Sequence, residues 1–164
     1  TLLASSAASD VYKRQFKHNI PLVFCKNYSP QVLKANMRIC GATEYALVLY
    51  RDKLPKFRNN GHMIFNWFEW KRDSAKEYPK IHPAQKPISL LKRLIEIFTD
   101  PGDVVIDPCA GSGSPLRAAY ELGRTSYGFE VSRDFNRKAK EQMLTIPENP
   151  QISLFDRKER NSND

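Results

Sequence analysis

Apolar residues along the chain fall into short runs separated by turn-forming residues, the rhythm of a domain that mixes strands with helices. Residues 20–24, Ile-Pro-Leu-Val-Phe, read as a strand, with Pro21 near its start, where a missing N–H is tolerated. Residues 31–38 are expected to be helical, with Val32, Leu33 and Met37 as apolar positions. Residues 44–50 are nearly continuously apolar and predict a strand buried on both faces. Ile88, Leu91, Leu94, Ile95 and Phe98 recur at helical spacing and predict one buried stripe on a helix that Pro87 opens. Asp100-Pro101-Gly102-Asp103 is a turn. Val104-Val105-Ile106 then reads as a fully covered parallel strand. Gly111 and Gly113 permit a tight turn, Ser114 is the expected N-cap and Pro115 the first helical residue. That helix runs to Leu122, with Gly123 as its stop. Residues 125–130 form the next strand, ending in Glu130, and Ser132 caps a last helix over 133–144.

Residues 51–80 break this rhythm. No period of 2 or 3.6 runs through them, and they read as an irregular insertion on the sheet. They carry Lys53, Lys56, Arg58, Lys71, Arg72, Lys76 and Lys80, interleaved with Phe57, Phe65, Trp67, Phe68, Trp70 and Tyr78. Basic side chains hold phosphates and aromatic rings stack on bases. Taken singly, each aromatic suits a small local core beneath a loop. As a surface, the segment suits nucleic acid, with Lys53, Lys56, Arg58, Lys71 and Arg72 as candidate contacts.

Composition narrows the class further. The chain has 164 residues, 41% of them hydrophobic, enough for one domain with a core. A net charge of +8 suits a polyanionic partner, although solvated Lys and Arg faces give the same sum. Cys25, Cys40 and Cys109 are far apart and form no CxxC pair, so neither a zinc site nor a disulfide framework is expected, and a reducing cytoplasm fits. No apolar run reaches the length of a membrane span. Residues 5–15, SSAASDVYKRQ, resemble translated adapter sequence, so 1–15 are set aside as a non-native leader and the native protein is expected to begin upstream. The domain is expected over 16–146, followed by a polar tail at 147–164.

The candidate chemistry lies in 104–130. A glycine turn after a strand, with an acidic residue closing the next strand, is a nucleoside-binding arrangement in which Glu130 accepts from both ribose hydroxyls. The dinucleotide fingerprint GxGxxG fails, because Leu116 stands at the third position. Asp107-Pro108 also sets a carboxylate directly before the turn, which repels a pyrophosphate and suits a cationic ligand. S-adenosylmethionine, with a sulfonium and an ammonium and no phosphate, fits better than a dinucleotide. A turn-capping role for Asp107 remains the alternative.

His82-Pro83-Ala84-Gln85-Lys86-Pro87, an apolar helix, Asp107-Pro108-Cys109-Ala110-Gly111-Ser112-Gly113 and Gly128-Phe129-Glu130, in that order, closely resemble the amino-methylating DNA methyltransferases that modify adenine N6 or cytosine N4. The order matches the β-type permutation, with the catalytic half first and the cofactor half last. The resemblance implies an α/β, Rossmann-like S-adenosylmethionine-dependent methyltransferase fold, circularly permuted, with three αβα layers around a mostly parallel mixed sheet. It implies that 16–50 end the catalytic half, 51–80 are the DNA-recognition insertion and 81–146 hold the cofactor. Asp107, Pro108, Ala110, Gly111, Ser112 and Gly113 would line the methionine part of S-adenosylmethionine, and Glu130 would hold the ribose. His82, Gln85, Lys86 and Pro87 would wall the pocket, with Lys86 near the cofactor's carboxylate and His82 fixing the loop. A surface role at the helix start remains the alternative for Lys86.

The sequence departs from the family at Cys109, where a bulky residue is usual, and at Ser114-Pro115, where Thr-Thr is frequent. The family holds the target amine with an Asp/Asn/Ser-Pro-Pro-aromatic tetrapeptide, and none occurs in these 164 residues. The catalytic strand is therefore expected before Ile20. The implied activity is methyl transfer to the exocyclic amine of a base flipped from double-stranded DNA, adenine before cytosine, without a metal or a covalent cysteine. The alternatives are a fragment that only binds nucleic acid or cofactor, and an RNA methyltransferase.

Overall fold

The structure, a computed structural model, describes residues 18–28, 31–50 and 57–145. The expected leader and polar tail, and Lys53 and Lys56, lie outside these residues. β1 (His18–Lys26) is the centre of a three-stranded sheet. It pairs antiparallel with β4 (Thr43–Tyr50) and parallel with β5 (Trp67–Trp70). β2 (Gln31–Lys34) and β3 (Ile39–Gly41) form a separate antiparallel hairpin, and β6 (Val104–Asp107) pairs parallel with β7 (Thr125–Gly128). The helices are α1 (Ile88–Phe98), α2 (Ser114–Glu121) and α3 (Arg133–Lys138), the last continuing as a π-helical turn over Ala139–Met143. This is a Rossmann-like α/β arrangement, with α2 crossing between two parallel strands.

α1 is the hub of the interior. Its residues Ile88, Leu91 and Ile95 join Tyr78, Ala118, Ala119 and Met143 in one core cluster. Its Leu90, Leu94 and Phe98 join Leu22, Phe24, Phe68 and Trp70 in another. The helix is thus covered on more than the single predicted stripe: Leu90 and Ile97 are buried although they lie outside it. One stripe serves a helix on one sheet, whereas α1 stands between two clusters.

Five further expectations are corrected. Residues 31–38 are not a helix: they form β2 and a short 3₁₀ turn (Ala35–Met37), which Arg38 leaves in the left-handed region. Val32, Leu33 and Met37 are exposed, so no core rewards a helical stripe there, and pairing with β3 satisfies the backbone instead. Residues 67–70, inside the stretch expected to be irregular, extend the sheet as β5. Phe68 and Trp70 face the core and Trp67 faces outward, which gives alternation too short to stand out from the sequence. β4 is covered on one face only, with Tyr45 and Leu47 exposed, and on β6 Val104 and Ile106 are exposed. Among the described residues the helices cover one face of the β1-centred sheet and one face of the β6–β7 pair, so these runs lack the second cover that their composition suits. Finally, Ser114 is the first residue of α2 rather than its cap. Gly113 takes the cap position, and the Ser114 hydroxyl bonds Ser112 at 2.8 Å.

Candidate functional site

The turn between β6 and α2 is built by its backbone. Ala110 N–H donates to Phe129 O and Phe129 N–H donates to Asp107 O, each at 2.9 Å, which laces the turn to the end of β7. Gly113 N–H closes the loop onto Ala110 O at 2.7 Å. Gly111 and Gly113 hold φ at 51° and 77°, where a side chain is strained. Gly128 serves close approach: a Cβ there would lie 2.7 Å from Leu116 Cδ2 and 3.0 Å from Ala110 Cβ.

Glu130 sits two residues past β7 and reaches back to this turn. Its carboxylate accepts Ser132 N–H at 2.7 Å and Gly111 N–H at 2.8 Å. These two backbone bonds, Ser132's first, hold its carboxyl below the usual carboxylate range. Asp107 accepts Cys109 N–H at 2.9 Å, the turn-capping role weighed above, and still lines the cavity.

The segment 82–87 forms the facing wall. His82 Nδ1 accepts Ala84 N–H at 3.1 Å, and its ring meets Phe135 edge-on at 4.4 Å. This is a loop-fixing arrangement. Gln85 braces the same loop, accepting Ile81 N–H and donating to Pro79 O, each at 3.0 Å. The cavity so enclosed measures about 420 Å³.

The structure brings His82, Gln85, Lys86, Asp107, Ala110, Gly111, Ser112 and Glu130 together around this cavity. Pro108, Gly113 and Pro87 do not line it. Pro108 is exposed, Gly113 shapes the loop from beneath, and Pro87 is buried at the start of α1. Ala84, Cys109, Ser114 and Pro115 also line it, although the sequence reading did not select them. Their place in the two motifs was the available signal. Lys86 turns its ammonium to Glu44, donating at 2.6 Å, and lies 4.9 Å over the Trp70 ring.

The candidate DNA contacts separate. Arg58 is ion-paired with Asp100, and its N–H donates to Ile97 O, which anchors it at the end of α1. Lys71 pairs with Glu69 at 3.0 Å. Arg72 lies 3.6 Å over the Tyr28 ring. Among the described residues no cluster of His, Cys, Asp and Glu is arranged to hold a metal, and no helix is long and apolar enough to cross a membrane.

A family model for DNA methylases of the N6/N4 type matches residues 8–141. The chain belongs to this DNA methylase family. It is 36% identical over 95 residues to the DNA adenine methyltransferase YhdJ of Escherichia coli, covering 57% of this chain and 32% of that protein. It is 31% identical over 116 residues to the type II methyltransferase M.MjaI of Methanocaldococcus jannaschii, covering 62% and 38%. The crystal structure of an M1.HpyAVI–SAM complex superposes with a TM-score of 0.71 at 25% identity, over 87% of this chain and 70% of that one. The chain spans half or less of the length of the curated relatives it matches.

Proposed function

We propose that this methylase chain forms the S-adenosylmethionine-holding part of a site-specific DNA methyltransferase. Its target is the exocyclic amine of a base flipped from double-stranded DNA, adenine N6 rather than cytosine N4. The observation that carries the reading is the cavity between the glycine turn and the segment 82–87, with Asp107 and Glu130 both on its wall. Carboxylates and backbone groups around a glycine turn fit a ligand with a cationic amino-acid part and a ribose, and they oppose a pyrophosphate. The solved neighbour with S-adenosylmethionine bound and the relative named as an adenine methyltransferase support the same choice.

When bound, S-adenosylmethionine supplies an electrophilic methyl group on a sulfonium. Asp107, Ala110, Gly111 and Ser112 would hold its methionine part, with Gly113 and Pro108 shaping that loop. Glu130 would accept from the ribose hydroxyls while keeping Gly111 in place. His82, Gln85 and Pro87 would hold the outer wall rigid, and Lys86 would lend it positive charge. Such a site accelerates transfer through positioning and electrostatics rather than through a covalent step.

Isothermal titration of the chain with S-adenosylhomocysteine tests this reading. Micromolar binding is expected, and Asp107→Ala should weaken it at least tenfold. Folded protein that shows no binding heat would overturn the assignment. Because the chain contains no Asp/Asn/Ser-Pro-Pro-aromatic tetrapeptide, we also propose that it does not methylate by itself. A tritium-transfer assay on unmethylated duplex DNA should read background, and turnover by this chain would refute that second point.

A further inference from the structure

A second cavity of about 450 Å³ shares the Ala84–Gln85 wall with the first. Its floor is aromatic, with Trp70 and Tyr78 buried and Tyr28 half-buried. Lys26, Arg72 and Lys80 line it together with Glu44 and Asp73, and the Lys86 ammonium reaches Glu44 from the loop. The charges do not balance. Asp73 is committed to α1, where its carboxylate accepts Ile88 N–H at 2.8 Å. Glu44 is shared between Lys26 and Lys86. Arg72 and Lys80, both exposed at the rim, have no carboxylate partner among the described residues.

Aromatic rings position Lys26, Lys86 and Arg72. Lys26 and Lys86 lie 4.8 and 4.9 Å from the Trp70 ring centre, and the Arg72 guanidinium lies 3.6 Å from that of Tyr28. With Lys26 and Lys86 both spent on Glu44, the Tyr28-held Arg72 and the exposed Lys80 remain in excess over the carboxylates and open to solvent, and together they form a receptor for an anion. The volume exceeds what an inorganic ion requires and suits a nucleotide unit. The wall shared with the proposed methyl-donor cavity places that anion beside the reaction.

We infer that this cavity seats a backbone phosphate of the DNA strand, with Arg72 and Lys80 as its direct partners. On this inference, Lys26, Glu44 and Lys86 form a fixed charge relay between the phosphate and the cofactor wall. The inference rests on the DNA-methyltransferase reading and deepens it: it seats Arg72, one of the candidate contacts read from the sequence, in a defined cavity and adds Lys80.

The test measures the anisotropy of a labelled 20-base-pair duplex with the full chain in the presence of S-adenosylhomocysteine. Arg72→Ala and Lys80→Ala should each weaken DNA binding about 3–10-fold and lower the salt slope by about one, the loss of one phosphate contact. Arg93→Ala and Arg137→Ala, which remove surface arginines paired within their own helices, should change it less than about twofold. Equal losses for all four would mean diffuse attraction and overturn the site. Trp67→Phe leaves Trp70 as the single tryptophan, and its emission should shift as duplex is added. An unchanged emission would also overturn it. Saturable quenching by dAMP, with duplex affinity unaffected by Arg72→Ala, would reassign the cavity to a free nucleotide and reject the DNA contact. Binding of S-adenosylhomocysteine separates the two readings. If it is retained while duplex ignores the cavity, only this inference fails; if it is lost in the parent chain, the cofactor assignment fails.

Discussion

Gly113 shows how much the site depends on one residue without a side chain. Its φ of 77° lies in the left-handed region, and a Cβ there would stand 3.4 Å from the Ala139 Cβ. Gly113→Ala should therefore destabilise the chain by about 1–2 kcal/mol, read by urea denaturation. It should also weaken S-adenosylhomocysteine binding, because Ala110 and Gly111 move with it. The role of this glycine was legible in the sequence, since a turn after a β-branched run and before a helix calls for one. The role of Ser114 was not. A serine before an apolar helix suits a cap, and only the fold shows its hydroxyl buried against Ser112, with the cap position taken by Gly113.

Between elements, α1 and α2 are clamped at Glu121. Its carboxylate takes Arg117 Nε at 2.5 Å, the Tyr78 hydroxyl at 2.9 Å and the Lys92 ammonium. Burial works to raise its pKa, but Lys92, Arg117 and Tyr78 outweigh burial and hold it below the ordinary 4.5. A carboxyl depressed in the folded state adds stability above its unfolded pKa and loses it as pH falls through the folded value. Glu121→Gln should thus cost about 1–3 kcal/mol at pH 7. Denaturation curves at successively lower pH should show the gap to the parent chain closing below about pH 4.5. A gap independent of pH would refute the charge assignment. β5 offers a second contrast. Trp70 is 3% exposed, so Trp70→Ala should cost about 3–5 kcal/mol, whereas Trp67, 52% exposed, should tolerate Ala at under about 1 kcal/mol. From the sequence these two residues are equivalent members of one aromatic segment. Their pairing with Val23 and Lys26 on β1 decides which ring turns inward.

Across the molecule, and among the described residues, the open faces of the β1-centred sheet and of the β6–β7 pair are the main departure from the apolar pattern. Tyr45, Leu47, Val104, Ile106 and Tyr127 are all exposed. Ile106→Thr should therefore cost less than about 1 kcal/mol, against about 2–5 kcal/mol for Ala at the fully buried Ile97. Guanidinium titration of both variants checks the contrast, and the parent chain should enhance the fluorescence of a hydrophobic dye. What the sequence determined by itself was local: the glycine turn with its carboxylates, the helix of 88–98, the turn at 100–103 and the order of motifs that marks the family. These follow from backbone freedom, periodicity and residue chemistry within a few positions of one another. What only the tertiary structure decided was long-range. It converted 31–38 from a helix to a hairpin and joined 67–70 to β1. It gave α1 a second buried side, and it set Lys26, Glu44 and Lys86, from three distant segments, around Trp70. No local pattern carries such contacts, because each depends on which surfaces the rest of the chain brings to meet it.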